Sequence, residues 1–366
     1  MVDDSGDLRL LFTTGVWERL VSVDSAGSRQ LVTRIPLPVG DDSTVSAQDV
    51  LAVLLPFQDV RSRALPELLE VRVSPGKGVE LSHAMPFGGT LDELVAQSGP
   101  LRPPLVGALA FQLASALDAL HDAGLVHGSL ALDRVLFSRD CELTLLDAAL
   151  VSGCRAMHVD LRFPDFRWEH VHPHAAFTAP ELIGGGMSPS ASADVFALAV
   201  LIAHLLIGRT PFNGSTALAV HTAIQRGRNT LDSDLGGILD ASGVVALSVG
   251  MSPDPAARPG RASELVSAVF GSVEDLPDLS MAAAYCGRHL SAWNHDARLA
   301  PLDEEQSPLQ GMRTSSRRDR LYAATITLEN ARRSTSASFS KGRPWMARAV
   351  AGVVAALVML SYLLAR

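Results

Sequence analysis

Residues 121–150 read HDAGLVHGSLALDRVLFSRDCELTLLDAAL. Upstream, residues 103–121 carry Leu109, Leu113, Leu117 and Leu120 at the spacing of one helical face. Gly124 follows as a helix stop. A short loop leads to two apolar runs, residues 135–138 and 143–146, separated by a polar turn at Arg139 and Asp140. The pattern predicts a helix, a loop, and a β-hairpin whose second strand delivers Asp147 to the next segment.

Further motifs lie on both sides. Upstream, Gly88-Gly89-Thr90-Leu91 introduces a helical run. Downstream come Thr178-Ala179-Pro180-Glu181, then Asp194 within Ser192-Ala193-Asp194-Val195-Phe196, then Gly208 to Pro211-Phe212. Asp254-Pro255-Ala256-Ala257-Arg258-Pro259 closes the series. In this order and spacing the motifs resemble the protein-kinase family, which has H-R-D-L-x-x-x-N in its loop, D-F-G after the hairpin and A-P-E beyond. Here His127-Gly128-Ser129-Leu130-Ala131-Leu132-Asp133-Arg134 stands for the loop and Asp147-Ala148-Ala149 for D-F-G.

The resemblance implies an α+β fold of two lobes. A small, mainly β lobe would span residues 1–88, and a large, mainly α lobe residues 89–270. In the small lobe, residues 8–35 read as extended runs joined by a turn at 24–27. Residues 46–55 read as its helix, and residues 67–85 as two strands around Lys77.

The resemblance also sorts residues by role. Glu181 and Arg258 would form the buried ion pair that fixes the segment after Asp147. Asp194 would accept backbone N–H bonds from the loop at His127. These four, His127 included, are structural, and a folded lobe keeps them because breaking a buried pair costs roughly 3–5 kcal/mol.

The residues of the chemistry are altered. Phosphoryl transfer needs a base for the acceptor hydroxyl, metal ligands, and cations or backbone N–H groups on the phosphates. Ser129 takes the place of the base, and a hydroxyl has no useful basicity at neutral pH. Ala131 replaces the loop lysine. Arg134 replaces the asparagine metal ligand with a cation, which repels Mg²⁺. Ala149 replaces a glycine. The phosphate loop has only Gly15, although close backbone approach to phosphate favours several glycines. In Leu31-Val32-Thr33-Arg34 the register assigns Arg34 to the family's lysine, and its planar fork is no substitute for an ammonium. The helix offers Gln48 and Asp49 where the lysine's glutamate partner belongs. Arg34 and Asp147 remain the candidate nucleotide-binding residues, with Asp147 the candidate metal ligand. The expectation is no bound cofactor, with ATP and Mg²⁺ confined to a residual nucleotide site. His158, His170, His172 and His174 enrich the segment after Asp147; on an extended segment His170, His172 and His174 could share one ion or a proton, the alternative being plain polar loop histidines.

Composition bounds the rest. The chain has 366 residues, is 47% hydrophobic and carries a formal charge of −8, which argues against general nucleic-acid binding. Three cysteines, Cys141, Cys154 and Cys286, lack metal-ligand spacing and suit a reducing compartment. Lys77 and Lys341 are the only lysines among 31 basic residues, a balance typical of a GC-rich, bacterial genome.

Residues 271–345 read as a linker, acidic first, then basic and rich in Ser and Thr. Residues 346–366 contain the uncharged run AVAGVVAALVMLSYLLA at 349–365, long enough for a short transmembrane helix. Lys341, Arg343 and Arg348 precede it, which places the kinase-like domain in the cytoplasm as a C-terminally anchored, single-pass protein.

The sequence therefore points to a pseudokinase, a membrane-anchored signalling or scaffolding module that engages protein partners. Two other functions stay open: an atypical active Ser/Thr kinase using ATP, and a membrane-tethered substrate of another kinase.

Overall fold

The computed structural model describes residues 7–13, 18–23, 29–35, 47–74, 78–84, 89–137, 142–148, 150, 175–183, 189–212, 214, 216–227 and 229–271. The linker, the apolar run at 349–365 and all four histidines of the segment after Asp147 lie outside them.

The small lobe is a five-stranded antiparallel sheet. Its strands are β1 (Asp7–Thr13), β2 (Glu18–Val23), β3 (Arg29–Ile35), β4 (Leu68–Ser74) and β5 (Gly78–Ala84), in the order β1-β2-β3-β5-β4. The sequence reading took residues 8–23 as one extended run, and the structure has two antiparallel strands there, β1 and β2. Helix α1 (Ala47–Leu54) brings the buried side chains of Val50 and Leu54 to the sheet. They pack with Ile35, Val79 and Leu81 in a core that also holds Leu120, Leu125 and Ala148 of the large lobe. Successive strand residues point to opposite faces. In β3, Leu31, Thr33 and Ile35 therefore share the α1 face, while Val32 and Arg34 look the other way. The register agrees, with Ile35 opposite Val79 and Thr33 opposite Leu81.

The large lobe begins with β6 (Gly89–Thr90) and α2 (Leu91–Ser98). Thr90 caps α2 in a reciprocal box with Glu93, satisfying two end donors at once. Strands β7 (Val135–Phe137) and β8 (Leu143–Leu145) form the expected hairpin, and β6 pairs with β7. Leu145 N–H donates to the Ala64 carbonyl at 2.7 Å, tying β8 to the chain that leaves α1.

Around this hairpin pack α3 (Pro103–Asp122), α4 (Ala191–Ile207), α5 (Ala217–Gln225), α6 (Leu231–Leu235), α7 (Ala241–Gly250) and α8 (Ala262–Phe270). Helix α4 is apolar all round, and a helix of that kind belongs inside a core. Its residues 195–203 are all buried. Helix α3 is long and apolar enough to cross a membrane by length and composition. Two thirds of it is buried in the lobe, so its apolarity is already used against α4, α8 and β8. Gly124 follows with φ 73°, a left-handed position that glycine takes without a Cβ clash.

Asp118, on α3, docks α8. Its carboxylate accepts from Ala262 N–H at 2.9 Å and from Ser263 N–H at 3.3 Å, and also from the Ser263 hydroxyl. A carboxylate on the first turn of a helix satisfies donors that have no partner within the helix. Asp118→Ala should lower unfolding stability by about 2 kcal/mol, the scale of a lost cap with charged hydrogen bonds. Asp122→Ala, at the exposed partner of Arg261, should leave the denaturation midpoint nearly unchanged. Equal effects of the two substitutions would show that the Asp118 carboxylate does not hold α8.

Candidate active site

The loop between α3 and β7 is positioned by Asp194. This carboxylate enters the core on the first turn of α4. It accepts from His127 N–H at 2.9 Å and Gly128 N–H at 2.7 Å, and it contacts His121 Nε2 at 2.9 Å. Gly128 takes φ 70°, which lets the chain turn so that both donors reach one carboxylate. His121 is a partner that sequence reading missed, although its place on the last turn of α3 pointed at this loop.

His127 is fully buried. Its Nε2 lies 2.9 Å from the Leu146 carbonyl, and its Nδ1 accepts from Ser129 N–H at 3.2 Å. Those partners fix the tautomer with the proton on Nε2. Burial pushes its pKa below the usual histidine value, against the pull of Asp194, so the ring is a neutral strut. It ties the loop to the strand that delivers Asp147.

Ser129 follows, 1% exposed. Its hydroxyl is buried and has no hydrogen-bond partner among the described residues. Where the family's pattern puts a carboxylate, the chain places a neutral hydroxyl, and among the described residues no group accepts its proton.

Arg134 and Asp147 face each other. The Arg134 guanidinium donates through a terminal N–H to Asp147 Oδ2, and its Nε lies 3.8 Å from Asp133 Oδ2. Both side chains of the Arg134–Asp147 pair are buried. Burial works against the Arg134 charge, but the adjacent Asp147 and Asp133 carboxylates outweigh it and raise its pKa. Asp147 takes φ 62°, the one non-glycine among the described residues in the left-handed region. These residues do not fit a divalent cation. The carboxylate expected to ligate the metal is engaged by a guanidinium, and a second cation beside it would be repelled. Asp147, the candidate metal ligand, has Arg134 as its counter-ion in this structure. Among the described residues no cluster of three His, Cys, Asp or Glu side chains could hold a metal.

Arg34, the other candidate nucleotide-site residue, is paired with carboxylates on neighbouring strands. Arg34 lies on the sheet face opposite α1 and Ala148, away from the segment carrying Asp147. Its Nε donates to Glu80 at 2.7 Å and a terminal N–H donates to Glu18 at 2.9 Å. Glu80 also accepts from Arg72 Nε at 2.8 Å. Glu18, Arg34, Glu80 and Arg72 stand directly opposite one another on four adjacent strands, an alternating ladder of charge. Burial opposes the Arg34 charge, and the two glutamates outweigh it and raise its pKa. The β3 side chain that faces α1 beside Leu81 is Thr33. On α1, Gln48 is exposed.

Arg258 donates to both oxygens of Glu181, at 2.8 and 2.7 Å, and its side chain is fully buried. It also reaches the carbonyls of Ser192 and Ser252 at 2.9 Å and lies over the Phe196 ring at 5.1 Å. The pair thus joins the segment before α4, α4 itself and the turn before α8.

Either Arg258→Ala or Glu181→Ala should cost about 3–5 kcal/mol of stability by leaving a buried charge without its partner. Ser129→Ala should leave stability unchanged or raise it, because it removes a buried hydroxyl that has no partner. Denaturant titration of the three variants checks both statements, and a large loss in Ser129→Ala would show that its hydroxyl has a task.

Comparison with known proteins bears on the whole arrangement. The protein kinase domain family model matches residues 70–248. The chain is 31% identical over 211 residues to the serine/threonine-protein kinase PknL of Mycobacterium tuberculosis, which covers 57% of this chain and 45% of PknL. It is 27% identical over 197 residues to the serine/threonine-protein kinase PknH of Mycobacterium bovis, which covers 54% of this chain and 32% of PknH. The chain thus spans less than half the length of either relative. Among solved structures, that of Rad53 residues 1–466 in complex with AMP-PNP aligns with a TM-score of 0.55 at 18% identity, over 73% of this chain and 66% of that one. At that identity the likeness speaks for the fold alone. With a sheet-rich lobe on a helical lobe, residues 70–248 matching the protein kinase domain, and likeness to bacterial Ser/Thr kinases, this chain carries a protein-kinase-like domain.

Proposed function

We propose that the chain is a pseudokinase, a protein-kinase-like domain that does not transfer phosphate and acts by binding protein partners as a signalling or scaffolding module. The observation that carries this reading is Ser129. The position of the acceptor base holds a buried neutral hydroxyl, while Asp194, His127, Glu181 and Arg258 keep the surrounding frame intact. Such a frame presents a rigid surface without the proton acceptor that transfer requires. Nucleotide binding is weak or absent in this reading, because the metal position is taken by Arg134 and Arg34 is held by two glutamates.

A second reading, an atypical active Ser/Thr kinase, is favoured by the names of PknL and PknH and by the retained Asp147. The two separate cleanly. Full-length protein incubated with radiolabelled ATP and Mg²⁺ or Mn²⁺ should label neither itself nor a generic protein substrate above the level of Asp147→Ala. Label that Asp147→Ala abolishes would establish the active kinase.

The proposal includes a membrane tether through residues 349–365, with the kinase-like domain in the cytoplasm. Its support is the uncharged run itself and the Lys341, Arg343 and Arg348 charges before it. The basic, hydroxyl-rich stretch ahead of it suits contact with anionic lipid, and phosphorylation there would weaken that contact. Deletion of residues 346–366 should move the protein from the membrane fraction to the soluble one. Protease added to intact spheroplasts should leave the kinase-like domain uncut. Membrane retention after the deletion would place the anchor elsewhere, and digestion in intact spheroplasts would reverse the orientation.

A further inference from the structure

Strand β4 is an edge of the small-lobe sheet, and among the described residues it pairs only with β5. An edge offers a second row of backbone N–H and C=O groups to any strand that can align with it. Charged side chains commonly guard such edges, and β4 carries Glu70 and Arg72, 56% and 39% exposed. Arg72 Nε donates to Glu80 at 2.8 Å, and a terminal nitrogen of Arg72 lies 4.0 Å from Glu70. Both therefore border the face that carries the charge ladder.

The order of these charges repels most strands and matches one. When two copies of β4 lie antiparallel with a two-fold axis at Val71, Glu70 of each copy stands opposite Arg72 of the other. The ladder Glu18, Arg34, Glu80, Arg72 then runs on into the second copy's Glu70 with its signs still alternating. Moving the axis to Glu70 or to Arg72 sets like charges opposite each other. The α1 face of β4 is apolar. Val71 and Val73 pack half-buried against the α1 core. Leu69, at the bulge between Leu68 and Glu70, is 46% exposed. Helix α1 and the turn Leu55–Asp59 pack beside β4 and expose Val53 and Leu55. The same axis sets Val71 opposite itself and Leu69 opposite Val73 of the second copy, so apolar meets apolar on this face.

We propose that β4 is a self-association surface, on which two copies of this chain pair their β4 strands antiparallel about Val71 and join two five-stranded sheets into one. The occupant is a second copy because the charge pattern is complementary to itself, as a closed two-fold contact requires. The surface is independent of whether the domain transfers phosphate.

The test is sedimentation of the full-length chain in detergent across micromolar concentrations, together with cysteine cross-linking. The unaltered protein should sediment as a dimer. Glu70→Arg sets an arginine opposite Arg72 at both symmetric contacts and should weaken the dimer about tenfold or more. Its melting temperature should match that of the unaltered protein made monomeric by dilution, because Glu70 is exposed. Cross-linking reads the register. At the axis two Val71 Cα atoms would lie roughly 4.5–5.5 Å apart, within the span of a disulfide, so Val71→Cys should form an intermolecular disulfide under mild oxidation. Two copies of Val73 would lie about 13 Å apart. Val73→Cys should therefore cross-link no more than the native cysteines do in the unaltered protein, and mixing it with Leu69→Cys should restore the cross-link.

If Glu70→Arg does not fold, the cross-linking pattern decides alone. Three results overturn the proposal: a monomer at every concentration, a dimer that Glu70→Arg leaves as tight as before, or Val73→Cys cross-linking as readily as Val71→Cys.

Discussion

The large lobe depends on a carboxylate that has no choice but to be satisfied. Asp194 sits on a helix whose apolar surface is buried on every side, so its charge is held inside the protein. An isolated carboxylate there would be prohibitively unfavourable. Two backbone donors at His127 and Gly128, with His121 beside them, make it tolerable. The same bonds fix the loop, and the loop fixes His127. His127 then reaches the carbonyl of Leu146, next to Asp147. A chain of single contacts thus runs from the core helix to the site, each link set by the need to pair a buried polar group.

That logic separates the residues this chain keeps from those it has changed. Glu181 and Arg258 are buried together, and losing either strands the other. They are retained for stability whatever the site does. Ser129 is under no such constraint, since a neutral hydroxyl without a partner costs far less than a stranded charge. Asp147 is the intermediate case. Its carboxylate is buried in a site whose family pattern supplies a metal, and here Arg134 supplies the positive charge covalently. Arg134 thus offsets part of the cost of burying Asp147.

Most of the frame was legible in the sequence because it is written in spacing. The apolar period of α3, the hairpin at 135–145, and the Asp194 and Arg258 motifs each impose a local geometry that survives without knowledge of the fold. The partners of Arg34 were not legible. A strand has period two, so which face a side chain takes depends on the register. Pairing with β2 and β5 sets Arg34 opposite Glu18 and Glu80. A signal was available in Glu18, Glu80 and Arg72, charges spaced on other strands that need a partner. It becomes readable only once the strand order is known. The Arg134–Asp147 contact was half legible, since the sequence showed a cation unsuited to Mg²⁺ and only the folded hairpin shows which carboxylate it meets.

The two arginines make the same physical point in opposite lobes. A guanidinium is always charged and spreads its donors in a plane, so once buried it must be met by carboxylates in fixed places. Arg34 is met by Glu18 and Glu80, and Glu80 in turn by Arg72, which stitches β2, β3, β5 and β4 into one charge ladder. Arg134 is met by Asp147, with Asp133 beside it, and binds the hairpin to the segment beyond it. Here their charge is neutralised within the protein before any ligand arrives. In the pseudokinase reading proposed above, such pairs add rigidity, and a rigid, preorganised surface favours the binding of a partner.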